Sequence, residues 1–196
     1  MYDINEGGGY LNGLLSHDID LISSLFGRPV AVCAEVRSSI PVRQLSDGGV
    51  LNVTADDSSA LLMRLESGAL AVLSASVMGA HMTPRAHLDV FGEKGTISGA
   101  LGSRQGDTLL AGAVTDEGLF EVTLDDRIPA HDEVIPARGA AAPIRAMALM
   151  LEDWLPQIHG GLSAIPVPTF EDGWVVQKVI EAARESSRGA GWVSIA

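Results

Sequence analysis

Near the start of the chain, apolar residues recur at intervals of three and four positions, which is the spacing of one helix face. The pattern ends before Gly27-Arg28-Pro29, where glycine and proline are typical of a helix stop. The sequence therefore predicts an opening helix that is at least half-buried. Its apolar positions are Leu11, Leu14, Leu15, Ile19, Leu21, Ile22 and Leu25.

From residue 30 onward the pattern changes to short β-prone runs separated by glycine and aspartate. Connections such as Glu66-Ser67-Gly68 and Gly92-Glu93-Lys94 have the length of hairpin turns, so neighbouring strands are expected to pair antiparallel. Helical patterns return over 143–158 and 169–188, and a short strand is predicted over 192–195. The main predicted strands cover 30–37, 59–65, 69–77, 85–91, 95–98, 108–113 and 119–124.

These elements predict an α+β fold, in which a large, open, mostly antiparallel β-sheet has helices packed on one face. Thr169, three residues before Asp172, is expected to cap the last long helix. The length and hydrophobic content suit one domain over 1–196. Because residues 69–75 are apolar or small on both alternating faces, the sheet face away from the helices needs a cover. A second copy of the chain is the expected cover, which makes the chain a homo-oligomer such as a homodimer; loops or closure into a barrel are the alternatives.

Charge narrows the class of partner. The chain carries 13 Lys and Arg residues against 25 Asp and Glu residues, a net charge of −12. So acidic a surface repels phosphate backbones and anionic lipid headgroups, which disfavours nucleic acid and membrane partners. Cys33, the only cysteine, cannot form an internal disulfide, and the apolar run around it predicts a small core residue. The start of the sequence lacks the pattern of a signal peptide, so we expect a cytoplasmic protein.

The segment Gly7-Gly8-Gly9-Tyr10-Leu11-Asn12-Gly13 is the most glycine-rich motif near the opening helix. A dinucleotide-binding loop has to follow a buried strand, so that a helix N-terminus can direct its amides at a pyrophosphate. Here the preceding residues are polar, and no other segment combines a strand, a GxGxxG turn and an acidic residue about 20 positions later. The sequence therefore predicts no NAD-binding loop.

His17 follows Gly13 by one helical turn and is thus presented beside the glycine loop. An imidazole titrates near neutral pH and can exchange a proton with a hydroxyl group, while Asp18 or Asp20 can orient it or stabilise its charge. The glycines allow a backbone to lie close to a ligand. The alternative is an ordinary helix histidine that packs against its neighbours.

At these residues the chain resembles a known family. Residues 7–20 are similar to the GGGxxxDxGxHxxD-type signature that opens the C-terminal domain of Gfo/Idh/MocA oxidoreductases. Residues 56–76 resemble its hairpin of an acidic pair, a strand, a glycine turn and a second strand. Residues 88–97 and 168–174 resemble a later hairpin and the entry to the final helix. These four segments occur in the family's order and span nearly the whole chain.

The resemblance implies the fold of a dihydrodipicolinate-reductase-like C-terminal domain. It also implies a two-domain enzyme whose Rossmann half binds NAD or NADP, and that half is expected to be absent from this chain. The half present in this chain would supply the substrate pocket and an open sheet for oligomerisation. The implied reaction is hydride transfer at a CH–OH carbon of a sugar, a polyol or a related small molecule, so the isolated chain is expected to be inactive. The implied residues are His17 for catalysis and substrate binding, with Gly9 and Asn12 beside it.

Two positions depart from the family pattern. The family's aspartate, one turn before the histidine, is Gly13 here, and a usual glycine is Leu15. The family's lysine belongs to the Rossmann half. The usual His/Asp/Lys set is therefore incomplete in this chain.

Further candidates lie later in the sequence. His81 and His87 flank residues 83–85 and are candidates to face the substrate, and Arg85 is a candidate to bind an anionic group of it. The alternative is a surface loop with a solvated or ion-paired arginine. His131-Asp132-Glu133 has the composition of a metal site but no second cluster, so no metal is predicted.

Three hypotheses follow from different classes. The first is the substrate-binding and oligomerisation domain of an oxidoreductase, which we favour. The second is a small-molecule binding module without redox activity, favoured by Gly13 and Leu15. The third is a purely structural self-associating sheet, for which replacement of His17 changes nothing.

Overall fold

The structure is a computed structural model that describes residues 2–78, 86–101, 108–122, 141–161 and 167–195. Its helices are α1 (Ser16–Phe26), α2 (Ala141–Ile158) and α3 (Phe170–Glu185), with π-helical turns at Leu11–Leu15 and Ser186–Ala190 and a 3-10 turn at Ile4–Glu6. Its strands are β1 (Pro29–Arg37), β2 (Val42–Gln44), β3 (Val50–Asn52), β4 (Ser58–Leu65), β5 (Leu70–Ser76), β6 (Ala86–Gly92), β7 (Gly95–Leu101), β8 (Thr108–Ala113), β9 (Phe120–Glu121) and β10 (Val193–Ser194).

The strands confirm the predicted α+β class with antiparallel pairing. Every described strand pair is antiparallel, and the described strands divide between two four-stranded sheets, β10-β1-β4-β5 and β6-β7-β8-β9, and the hairpin β2-β3. A strand lies at each of the seven long β-prone runs that predicted one. The hairpin β2-β3 was missed because each of its strands has only three residues on either side of the turn at 45–49.

The chain forms two compact units, Met1–Ala80 with Pro168–Ala196 and His81–Val167. The first contains the main core, where α3 lies against β1 and β10, and α1 lies against α3. The predicted cap of α3 is confirmed, since Thr169 accepts from the Asp172 N–H at 3.3 Å and Asp172 accepts from the Thr169 N–H at 2.8 Å. The largest fully buried side chains are Leu11, Leu15, Val32, Ile19, Leu61, Met63, Val179 and Ile180.

One face of the first sheet is buried and the other is open. Along β4, Leu61 and Met63 are buried, whereas Leu62 between them is 39% exposed. The register places Cys33 and Val72 on either side of Leu62, and Val72 is 73% exposed. Cys33 was expected in the core but is half-buried, because its position on β1 points to the open face.

Two serines complete the hydrogen bonding of β1 where the short strand β10 no longer pairs with it. The Ala34 N–H donates to Ser186 Oγ at 2.8 Å, and the Val36 N–H donates to Ser187 Oγ at 2.9 Å. These hydroxyl groups satisfy backbone donors that an edge strand otherwise leaves unpaired. The end of α3 is therefore fixed to β1 by hydrogen bonds as well as by packing.

In the part of the chain that the structure describes, none of the helices is long and apolar enough to cross a bilayer.

Candidate functional site

The glycine loop follows a single helical turn and not a strand. The turn Ile4–Glu6 leads into the loop, and the Gly8 N–H donates to the carbonyl of Asp3 at 2.9 Å. Gly8 and Gly9 are both buried. In the described residues before the loop, a 3-10 turn stands where a dinucleotide-binding motif has a strand, so these residues do not fit the usual cradle for a dinucleotide.

Asp56 caps the helix that follows the loop. Its Oδ2 accepts from the Leu11 N–H at 2.7 Å, and its backbone carbonyl accepts from the Tyr10 N–H at 3.1 Å. Ser59 Oγ donates to the same Oδ2 at 3.2 Å. Asp56 is 8% exposed, so its carboxylate and its backbone carbonyl each satisfy one free amide of the helix start from inside the protein. A carboxylate at this point would repel a pyrophosphate group.

Gly9 allows this approach of Asp56 to the backbone. Its φ is +112°, a conformation that residues with a side chain rarely adopt. A Cβ atom at Gly9 would lie 2.1 Å from Asp56 Oδ1. Glycine is therefore required here by backbone conformation and by space.

Asn12 joins the glycine loop to α3. Its Nδ2 donates to the carbonyls of Gly7 and Gly8 at 3.0 and 3.2 Å. Its Oδ1 accepts from Arg184 at 2.9 Å, and Arg184 also donates to Glu181 at 2.7 Å. Both amide protons of Asn12 are used within the protein, which leaves one Oδ1 lone pair for a ligand.

His17 lies on the exposed side of α1, one turn after Gly13. Gly13 is exposed too, and a Cβ atom there would meet nothing within 4 Å. The position that carries an aspartate in the resembling pattern is thus open space beside His17. Leu15, at the other departing position, is 1% exposed and belongs to the core.

Asp18 is the acidic neighbour most affected by its surroundings. It is half-buried, and the loss of solvation raises its pKa above the ordinary value, while the nearby His17 opposes this shift. Asp20 is half-buried on the same helix. Asp18 is therefore the stronger candidate for a carboxylate that exchanges a proton with His17 or a ligand.

The exposed side of α1 and of the π-helical turn before it is also apolar. Leu14, Leu21 and Leu25 are 46%, 40% and 56% exposed and lie at helical spacing around Asp18. We call these three residues the α1 stripe. An exposed apolar stripe beside a candidate proton-transfer group is typical of a site that another domain covers.

Other candidates from the sequence come later in the chain. His81, Arg85 and the segment His131-Asp132-Glu133 lie outside the described residues, so their roles remain predictions. Within the described ranges no group of three or more His, Cys, Asp or Glu side chains is arranged to hold a metal ion.

His87 is described, on β6 of the second unit. Its Nε2 lies 3.0 Å from Asp89 Oδ1 and 3.5 Å from Ser98 Oγ. A hydrogen bond from Ser98 is the main cause that lowers the pKa of Asp89, with a smaller contribution from His87. Because Ser98 and Asp89 contact the same nitrogen of His87, the three residues do not form a relay of the kind that activates a serine nucleophile.

The sequence did not predict the individual roles of three residues near the site, namely Asp56, Asp57 and Arg184. Asp56 and Arg184 reach the loop region from positions 45 and 172 residues away from their hydrogen-bond partners. A helix cap is normally searched for within a few residues of the helix start, so no local signal identifies them.

Asp57 is an internal anchor next to Asp56. Its carboxylate accepts from the N–H groups of Ser39 and Ile40 at 2.8 and 2.9 Å, and it is 4% exposed. Burial raises its pKa, but the hydrogen bonds together outweigh burial, so the pKa lies below the ordinary 3.8. The carboxylate thus stabilises the fold fully above pH 3.8, and this contribution is lost as the pH falls through the lowered pKa.

We expect Asp57→Asn to lower the free energy of unfolding at pH 7 by about 2 kcal/mol, because charge-assisted hydrogen bonds to buried amides are lost. The difference from the unchanged chain should shrink as the pH falls below 3.8. Urea unfolding between pH 3 and 7 measures this. Asp47→Asn, in an exposed turn, is the control; an equal effect of both substitutions would contradict the role of Asp57.

Comparison with known proteins identifies the family. The profile of the GFO/IDH/MocA C-terminal domain matches residues 1–98, which include the glycine loop, His17 and the acidic pair. This chain belongs to the GFO/IDH/MocA family. An uncharacterized oxidoreductase of Synechocystis is 23% identical over 97% of this chain and 50% of its own length. The chain thus spans about half the length of the curated relative that it matches.

Solved structures agree with the family fold. Levoglucosan dehydrogenase in complex with NADH and L-sorbose is 26% identical, with a TM-score of 0.79 over 97% of this chain and 51% of that chain. An NAD binding oxidoreductase from Klebsiella pneumoniae is 23% identical, with a TM-score of 0.79 over 97% of this chain and 51% of its own, which shows the fold alone. The predicted α+β architecture of a GFO/IDH/MocA C-terminal domain is confirmed.

Proposed function

We propose that this chain is the substrate-binding and self-associating domain of an NAD(P)-dependent oxidoreductase that acts on a CH–OH group of a sugar, a polyol or a related molecule. The observation that carries the proposal is the exposure of His17 beside a buried, hydrogen-bonded glycine loop. Support also comes from levoglucosan dehydrogenase, which is similar over nearly the whole of this chain and is known in complex with NADH and levoglucosan.

A nicotinamide cofactor would accept the hydride that leaves the CH–OH carbon. The glycine loop of this chain does not fit that cofactor, because Asp56 occupies the helix start that a pyrophosphate needs. We therefore assign cofactor binding to a separate dinucleotide-binding domain. The α1 stripe is the surface that this domain would cover, since it is exposed and apolar on the segment that carries His17.

His17 is the proposed base. As the substrate carbon loses a hydride, its hydroxyl group loses a proton and becomes a carbonyl, and the neutral imidazole of His17 takes that proton. Asp18 lies close enough to interact with the imidazolium that forms. Gly9 and Asn12, in the loop and turn that precede α1, are the proposed substrate contacts of this segment. His81 and Arg85 remain candidate substrate contacts.

We propose that the open face of the first sheet mediates self-association. Leu62, Val72 and Leu70 are exposed on it at 39%, 73% and 63%, and Trp192, beside Arg64, is 41% exposed. Exposed apolar side chains that share one sheet face are typical of an interaction surface. Burial of this face against a second copy would remove it from water.

The role of His17 is testable with the chain alone. We expect His17→Ala to weaken binding of levoglucosan or L-sorbose at least about ten-fold, equivalent to roughly 1.4 kcal/mol. His159→Ala, at an exposed histidine in the turn that follows α2, should leave the affinity unchanged. Titrations followed by NMR measure both. Equal affinities for the two variants would contradict a ligand contact by His17.

A binding module without redox activity is the second candidate function, and the open space at Gly13 favours it. In that case sugar binding would persist, but no turnover would occur when a dinucleotide-binding partner domain and NAD(H) are supplied. Gly13→Asp distinguishes the two. It should raise turnover if the missing carboxylate limits catalysis, and it should leave turnover at zero if the chain only binds.

A further inference from the structure

Arg184 occupies an unusual place for a charged side chain. It lies near the end of α3, between the buried Ala183 and the exposed Glu185, and its side chain is only 20% exposed. One of its nitrogens donates to Glu181 on its own helix at 2.7 Å, and the other donates to Asn12 Oδ1 at 2.9 Å. Part of a desolvated guanidinium group is thus used to hold a neutral amide on a distant segment.

This contact decides the orientation of the Asn12 amide. A guanidinium group has only donors, so the amide oxygen must face Arg184 and the amide nitrogen must face away from it. The nitrogen then donates to the carbonyls of Gly7 and Gly8. If the amide were flipped, its oxygen would face the carbonyl oxygens of Gly7 and Gly8, and its nitrogen would face the N–H donors of Arg184.

The same segment carries the proposed base. Asn12 lies in the π-helical turn that leads directly into α1, and its backbone carbonyl accepts from Ser16, the residue before His17. The Gly13 N–H donates back to the carbonyl of Gly9 at 2.9 Å. The glycine loop and the start of the His17 helix are therefore connected at Asn12.

We infer that Arg184 is a positioning residue of the His17 site, which holds Asn12 and through it fixes the glycine loop against the helix that carries His17. This inference rests on the proposed function only for its effect on ligand affinity. The effect on loop order is independent of any ligand. Arg184 acts through Asn12 and is assigned no contact with substrate.

Hydrogen exchange tests the positioning directly. Arg184→Met removes the donors but keeps a long side chain, and we expect amide exchange at Gly8 and Gly13 to become about ten-fold faster, as for the loss of one charge-assisted hydrogen bond. Exchange at the core residue Leu61 should not change. Arg184→Lys, which keeps one donor, should restore most of the protection. The exposed Arg188→Met is the matched control.

A second arm measures the affinity for levoglucosan in the same variants. We expect at least a five-fold loss in Arg184→Met, partial recovery in Arg184→Lys and no change in Arg188→Met. Unchanged exchange at Gly8 and Gly13 in Arg184→Met would overturn the inference, as would equal acceleration at Leu61, which indicates general destabilisation. If the unchanged chain binds no sugar while the exchange results are as expected, the proposed function fails and the positioning role stands.

Discussion

Gly9→Ala should lower the free energy of unfolding by about 3 kcal/mol or more, because the added methyl group causes both backbone strain and a steric clash. The residue has a φ of +112°, which an alanine adopts only with strain. Its Cβ atom would also lie 2.1 Å from Asp56 Oδ1, so the carboxylate that caps the helix start has to move. Chemical denaturation, followed by circular dichroism, measures the loss.

Gly13→Ala is the matched control, four residues further along the same motif. A Cβ atom there meets nothing within 4 Å, and its backbone is helical. Alanine forms helices better than glycine by up to about 1 kcal/mol, so this variant should be as stable as the unchanged chain or slightly more stable. Similar destabilisation by both substitutions would show that the contact between Gly9 and Asp56 is not what makes glycine necessary.

Val72→Lys should convert a self-associated chain into a monomer. Val72 is 73% exposed on the open face, on the edge strand β5 and opposite Leu62 on the neighbouring strand β4. If a second copy covers this face, an unpaired lysine is buried there, which weakens association by at least about 2 kcal/mol, or roughly 30-fold. Light scattering over a range of concentrations measures the mass.

The control for this prediction is Val50→Lys. Val50 is 59% exposed and lies on the hairpin β2-β3, which is not hydrogen-bonded to the first sheet. It should leave the mass unchanged. Two results would contradict self-association through this face. One is an unchanged chain that stays monomeric even at 100 times the lowest concentration measured, and the other is a Val72→Lys variant with an unchanged mass.

Much of the fold could be predicted from the sequence, because its elements have strong local patterns. The alternation along β4, the glycine turn at Gly68 and the cap at Thr169 each depend on residues within a few positions of one another. The division of the strands between two sheets could not be predicted, since it depends on which strands form hydrogen bonds across long separations. The three-residue strands β2 and β3 are too short for a periodic signal.

The candidate site was predictable only in part. The spacing of the opening helix predicted that His17 would be presented beside the glycine loop, and the structure places it on an exposed face. The sequence did not indicate that Asn12 would be held by Arg184 or that Asp56 would cap the helix. These contacts join segments that are far apart in the chain, and only the packed fold brings them together.

The central claim is that this domain supplies the substrate side of an oxidoreductase and leaves dinucleotide binding to another domain. Isothermal titration of NADH and NADPH into the purified chain, with its mass checked by light scattering in the same sample, tests it most directly. We predict no measurable binding by a stable, self-associated chain. Micromolar binding of one dinucleotide per chain would contradict the account, because the glycine loop would then hold a cofactor despite the Asp56 carboxylate at the helix start.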